Sequence, residues 1–207
     1  LNVMRQSLLF SGLENITYNQ NRKNTDIKLF EFGKTYHKTE NGNLENQHLQ
    51  ILLSGRISSE NWDTNADKVN FYFMKEKVEH ILNRLGIKNF KSSEGSGWGR
   101  SYSLAYSHKK KRLVCFGKVT KDLCNKFGVK SDVYMADFNW DLVLELAGYN
   151  KTKYKDVSKF PEVRRDLSLL IDDSVSFAEL FKIARQTDNK ILKSVNLFDV
   201  YEGDKLP

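Results

Sequence analysis

Several kinds of chemistry are missing from this sequence, and each absence closes a route. Cys115 and Cys124 are its two cysteines, in neither CxxC nor zinc-ligand spacing, so a disulfide framework and a zinc site drop out and both read as reduced thiols. No apolar run approaches the roughly 18 residues of a membrane span. The opening stretch LNVMRQSLLF has too short an apolar core for a signal peptide and lacks its cleavage pattern. His37, His48, His80 and His108 are scattered, with no HExxH-type metal spacing. GxGxxG and GxSxG are absent, the Gly-rich stretch GSGWGR carries no GK[ST], and no Cys–His arrangement that sequence can certify is present. Internal repeats and low-complexity tracts are missing too. Asn15-Ile16-Thr17 and Asn150-Lys151-Thr152 match the glycosylation pattern only by chance in a chain without a secretion signal. On residues alone there is no catalytic constellation and no metal site, and the expected location is the cytoplasm.

What is present fits one large domain or two small ones. At 207 residues the chain can bury roughly 70% of its unfolded surface and needs no staples. It begins without an initiator Met, and the expectation is a piece of a longer protein. The formal net charge is +7, which permits an anionic partner without demanding one. Its distribution is uneven. From residue 151 onward there are 11 basic and 10 acidic residues, which leaves 22 and 16 for the first 150. The positive excess therefore lies in the longer part.

Hydrophobic period organises the chain. Leu9, Leu13 and Ile16 recur at helical spacing within 4–20. IKLFEFGKTY, 27–36, is apolar on both faces near its middle and is expected as a central strand. ENGNLEN, 40–46, predicts a turn and 48–57 a strand. Phe71, Met74, Val78, Ile81, Leu82 and Leu85 make an amphipathic helix over 69–87 with Gly86 as its stop. Residues 101–107 and 112–119 predict a hairpin across HKKK. A short helix near 121–127, a strand at 132–140 and a helix at 140–147 follow. AGYNKTKYKD, 147–156, is the linker. Beyond it come strand 165–171, helix 176–187 with Phe177, Leu180, Phe181 and Ala184 on its buried face, and strand 194–201.

Three clusters invite a functional reading. GSGWGR, 95–100, has the glycines of a phosphate cradle but leads into a strand rather than a helix N-terminus, so a plain loop is favoured. HKKKR, 108–112, is the densest positive cluster and is read first as a solvated hairpin tip, with a phosphate-backbone contact as the sharper alternative. Phe71, Tyr72 and Phe73 could stack on bases, but helical spacing makes Phe71 core.

MRQSLLFSGL with LFEFGKTY, the helix VNFYFMKEKVEHILNRLGI, and KFPEVRRDLSLLIDD with NLFDVYEGDKL occur in this order along the chain. Together they resemble the phenylalanine–tRNA ligase beta-subunit family. The most specific part is Phe160-Pro161, Arg165-Asp166 and Phe198-Asp199-Val200-Tyr201. The resemblance implies an α+β fold. Residues 1–150 would be a non-catalytic class II synthetase-like core, a mostly antiparallel sheet flanked by helices. Residues 151–207 would be a partial ferredoxin-like β-α-β unit of the anticodon-binding domain, in which strand order 4-1-3-2 keeps the first two strands apart.

The resemblance also implies roles. Active relatives carry an ATP-gripping arginine just after the strand Gly33-Lys34-Thr35-Tyr36, where this chain has His37. They carry a second, late arginine in the region matching 137–146, yet no arginine occurs here from 113 to 163. Histidine does not replace a bidentate guanidinium, so catalytic residues and metal ligands are expected to be none, and no cofactor is expected in this stretch; the holoenzyme uses ATP and magnesium. The implied partners are the catalytic alpha subunit, in an α2β2 assembly, and tRNA(Phe), with no membrane. Arg164, Arg165, Tyr201 and Lys205 are the implied RNA contacts. Arg165 and Asp166 are expected to form a local pair, leaving Arg164 freer. Leu8, Leu9, Leu13, Phe71 and Tyr72 are candidates for the subunit interface, weighed evenly against intrachain core. The alternatives are a free-standing RNA-binding module with a ferredoxin-like fold and a stand-alone amino-acid-activating enzyme.

Overall fold

The computed structural model describes residues 3–40, 42–59, 61–63, 67–95, 99–149, 154, 156, 159–172 and 174–201. Two compact units divide the chain, Leu1–Tyr154 and Lys155–Pro207. Among the described residues no helix is long and apolar enough to cross a membrane.

In the first unit, helix α1 (Leu9–Gln20) leads into the long hairpin β1 (Ile27–Thr39) and β2 (Gly42–Ser54). Helix α2 (Phe71–Arg84), β3 (Lys91–Glu94), β4 (Arg100–His108), β5 (Lys111–Val119), helix α3 (Lys121–Lys126), β6 (Val133–Asn139) and helix α4 (Trp140–Gly148) follow. The six strands form one antiparallel sheet in the order β1-β2-β6-β5-β4-β3. Side chains alternate between its faces. Leu49, Leu53, Val114, Phe116, Ala136 and Phe138 meet Met74, Val78 and Leu82 of α2 and Leu142 and Val143 of α4. Leu52, Val119, Val133 and Met135 meet Leu9, Leu13 and Ile16 of α1 and Cys124 of α3 on the other face.

Local signals fix the helix ends. Asn70 accepts from Phe73 N at 2.9 Å and starts α2 two residues later than its periodicity suggests. Gly86, at φ 74°, stops it with a Schellman pair, Gly86 N to Asn83 O and Ile87 N to Leu82 O. Helix α1 begins at Leu9 rather than near residue 4, because the buried Gln50 amide fastens its entry. With that amide oriented to satisfy both partners, its oxygen accepts from Leu9 N and its nitrogen donates to Leu8 O, each at 3.0 Å.

Two strand expectations are corrected. β1 is an edge strand, not a central one. Its second apolar face, Phe30 and Phe32, is exposed rather than covered. The turn expected over 40–46 is shorter, since Thr39 pairs with Gly42 and the ladder runs on through Asn46. Gly42 at φ 116° closes the hairpin, and the polar residues after it mark an exposed strand. β3 carried no readable period.

The second unit holds α5 (Phe177–Thr187), entered by a capping box in which Ser176 and Glu179 satisfy each other's orphan groups. The helix matches its expected span. Its expected buried face does not hold: Phe177 and Phe181 are exposed, Leu180 and Ala184 are only part-covered, and α5 has no buried residue. Residues 165–171 and 194–201 carry no strand. A strand exists through a ladder partner, and order 4-1-3-2 does not make these two segments neighbours. Arg185 instead holds the chain after α5, donating to Leu192 O at 3.0 Å and Lys193 O at 2.8 Å.

Candidate functional site

The sheet register lines up a set of polar groups on the α1-side face of β1, β2 and β6. Gly33 pairs with His48, and Gln50 with Asp137, so these positions share a face with Thr35 and His37. His48 Nδ1 lies 2.8 Å from Asp137 Oδ1, and its Nε2 lies 3.0 Å from Thr35 Oγ1. A carboxylate only accepts, so Nδ1 carries a proton toward Asp137, and in the neutral ring Nε2 accepts from the Thr35 hydroxyl. The chain hydroxyl–imidazole–carboxylate has the composition of a nucleophilic triad. It cannot act as one, because Thr35 is 2% exposed and no substrate reaches its hydroxyl. It is a tie across three strands.

The cations around this face are few and already partnered by carboxylates. Arg5 donates from Nη1 to Glu31 Oε1 at 2.6 Å and from Nε to Lys34 O at 3.0 Å, so Glu31 offsets its charge. Lys34 is held by Glu45, which pushes its pKa up. His37 is half-buried at the place the resemblance assigns to the arginine. Asp137 adds negative charge. Among the described residues no three metal-ligating side chains converge. Residues of this kind do not fit a triphosphate, which needs cations aimed at it.

The apolar surface tells a different story. Phe30 is 72% and Phe32 56% exposed on the open edge strand. Phe32 meets Trp140 edge-on at 5.0 Å, and Phe30 meets Phe32 at 6.1 Å. Leu144, one turn along α4, is exposed as well. A second cluster forms where α2 begins. Phe71 packs on Phe116 and meets Tyr102 at 4.8 Å and Tyr72 at 5.8 Å, and both tyrosines are exposed. Of the interface candidates, Tyr72 is free surface and Phe71 is part-covered. Leu8, Leu9 and Leu13 are buried inside the unit. They are intrachain core, as their helical stripe allowed, and this corrects the interface expectation for them.

In the second unit the arginine roles are exchanged. Arg164, not Arg165, pairs with Asp166, Nε to Oδ1 at 3.2 Å, and its guanidinium lies 5.5 Å from the Phe198 ring. Adjacent side chains diverge, while positions two apart in an extended segment share a side, which is why Arg164 reaches Asp166. Arg165 is exposed, as is Tyr201. Lys205 lies outside the described residues. In the loop read as GSGWGR, Gly95 is bound to Ser103 and Gly99 turns at φ 83° into β4; residues 96–98 lie outside the described residues.

The sheet with helices on both faces is shared with a pyrrolysyl tRNA synthetase from Desulfitobacterium hafniense, at a TM-score of 0.52 and 15% identity over 70% of this chain and 50% of that one. That likeness concerns the fold alone. The family described as Phenylalanyl tRNA synthetase beta chain CLM domain matches residues 1–140. The chain belongs to the phenylalanyl-tRNA synthetase beta chain family. A second model, the ferredoxin-fold anticodon binding domain, matches residues 158–207 of this beta-chain relative. The phenylalanine–tRNA ligase beta subunit of Bacteroides fragilis is 44% identical over 100% of this chain. That of Porphyromonas gingivalis is 36% identical over the same share. The chain spans 27% of the length of each.

Sequence reasoning missed the Thr35–His48–Asp137 tie, whose members are far apart along the chain. It also missed Phe30 and Phe32 as surface. Their signal was present, in a strand apolar on both faces.

Proposed function

We propose that this chain is a non-catalytic part of a phenylalanine–tRNA ligase beta subunit, which supports ATP-dependent attachment of phenylalanine to tRNA(Phe) by binding the catalytic alpha subunit and the tRNA anticodon. The observation that carries the reading is the exposed aromatic surface of Phe30, Phe32, Tyr72 and Tyr102, with part-buried Trp140 packed against Phe32, on a core whose own polar face is closed to a nucleotide. Covering a large apolar side chain contributes about 1.5–3 kcal/mol, so such a surface is complementary to a partner rather than to water. The domains are a synthetase-like core over 1–150 and a partial anticodon-binding unit over 151–207. Arg165 and Tyr201 are the RNA-facing candidates there, with Lys205, and Arg164 serves through its grip on Asp166 and Phe198. ATP and magnesium belong to the alpha subunit's chemistry, and the work is done in the cytoplasm. The free-standing RNA-binding module is disfavoured by the near-neutral charge of the second part.

Co-purification of this chain with the catalytic alpha subunit of the same organism tests the reading. A stable complex, lost on Phe30→Glu with Phe32→Glu, is the expected result. ATP-dependent pyrophosphate exchange by this chain alone would overturn the non-catalytic assignment.

A further inference from the structure

The positive tip of the β4–β5 hairpin is not isolated on the surface. His108 pairs with Lys111, so Lys109 and Lys110 form a two-residue turn. Lys109 adopts φ 54°, a conformation that favours glycine or asparagine. The turn therefore keeps a lysine where the backbone prefers another residue. The tip borders a cleft of ≈ 760 Å³ together with the loop after α2 and the C-terminal half of α4. Lys88 comes in from the α2 side, and His108 Nδ1 holds that loop through Asn89 O at 2.7 Å. Lys88, Lys109, Lys110 and Lys111 have no carboxylate within ion-pair distance among the described residues. Glu145 is the acidic group in the lining, and Tyr149, 76% exposed, stands at the same cleft.

We propose that this cleft is a second RNA-binding site, in which Lys88, Lys109, Lys110 and Lys111 contact the phosphate backbone and Tyr149 stacks on an unpaired base. Unpaired lysines beside an exposed aromatic ring suit a nucleic acid, whose strand offers charges and π faces in alternation. An acidic protein surface would use the lysines and leave the tyrosine without a role. A purely internal role also exists, because α2 and α4 both end here and cations favour helix C-termini. The proposal rests on the functional reading above only in the choice of tRNA as probe.

The test is fluorescence anisotropy with tRNA(Phe) transcript and with a single-stranded RNA, between about 50 and about 200 mM salt. Lys110→Glu with Lys111→Glu should reduce the slope of log K against log salt by about two and weaken binding at low salt at least about tenfold. Tyr149→Ala should weaken single-stranded RNA binding and leave the slope in place. Arg164→Ala and Arg165→Ala, in the second unit, should leave the lysine-dependent part of the slope intact. No salt-sensitive binding by the unaltered chain overturns the proposal. So does an unchanged slope in the double-lysine variant with its fold retained by circular dichroism. A lowered melting temperature with an unchanged slope assigns the lysines to the helix ends instead. Loss of alpha-subunit capture with unchanged RNA binding assigns the tip to a protein contact. If the complex with the alpha subunit forms while the slope does not move, this site fails and the functional reading stands.

Discussion

Phe138 and Phe181 are both large apolar side chains on regular elements, yet their fates differ. Phe138 sits on β6 under α4 and is fully buried; Phe181 sits on α5 of the second unit and remains exposed. The first unit supplies a layer for each apolar face except at the edge of β1. The second supplies a helix with good ends and an apolar side that no neighbouring element covers among the described residues. Amphipathic period therefore reports a demand for a partner surface, and whether the same stretch of chain supplies it is a separate matter.

The comparison can be broken in four ways. Phe138→Ala should destabilise the first unit by about 4 kcal/mol, through lost burial and the cavity left behind. Urea unfolding followed by near-ultraviolet circular dichroism measures it, and a loss below about 1 kcal/mol would mean that the core is not packed as described. Gly117→Ala comes next. A Cβ there would lie 2.0 Å from Tyr102 O and 2.7 Å from Ser103 Cα, both backbone atoms that cannot swing away. The expected cost is about 2–3 kcal/mol, read as a lower urea midpoint with the β4–β5 ladder amides exchanging faster.

Asp26 gives a smaller, pH-dependent effect. Hydrogen bonds from the Arg56 backbone N–H at 2.9 Å and guanidinium at 2.8 Å hold its carboxyl below the ordinary range. For a depressed carboxyl, the stabilisation is present above the unfolded pKa and is lost as pH falls through the folded one. The first unit should therefore lose about 1 kcal/mol or less from this group below about pH 4. Asp26→Asn should flatten that acid limb in a melting-temperature series, and an unaltered limb would remove Asp26 from the account. Phe181→Ala should have the smallest effect, under about 1 kcal/mol, because little burial is forfeited. Hydrogen exchange of the α5 amides would show it. A drop as large as that of Phe138→Ala would mean that α5 is covered in solution.

Element type was legible wherever period and punctuation agreed. The α2 stripe, its Gly86 stop, the hairpin across HKKK and the α5 span all emerge from residues within a few positions of one another. What failed depended on a neighbour that spacing cannot name. IKLFEFGKTY has two apolar faces, and only the sheet order shows that one of them faces outward at an edge. Leu8, Leu9 and Leu13 look alike whether a helix packs on its own sheet or on a second protein. Arg164 and Arg165 are adjacent in sequence, and the extended chain decides which reaches Asp166. The His48 tie joins residues that are distant in sequence, and no local pattern announces it.

That tie also limits which single substitutions the face can accept. Thr35, His48 and Asp137 each satisfy a neighbour in the set, and Arg5 is already committed to Glu31 and Lys34. Replacing Thr35, His48 or Asp137 strands a part-buried polar atom. A mutation of His37 to arginine would bring one cation to a surface whose other groups remain occupied with each other. A nucleotide site on this face would require several coordinated replacements, most of them harmful singly. The hydrogen-bonded face thus resists piecemeal change, because its members depend on one another.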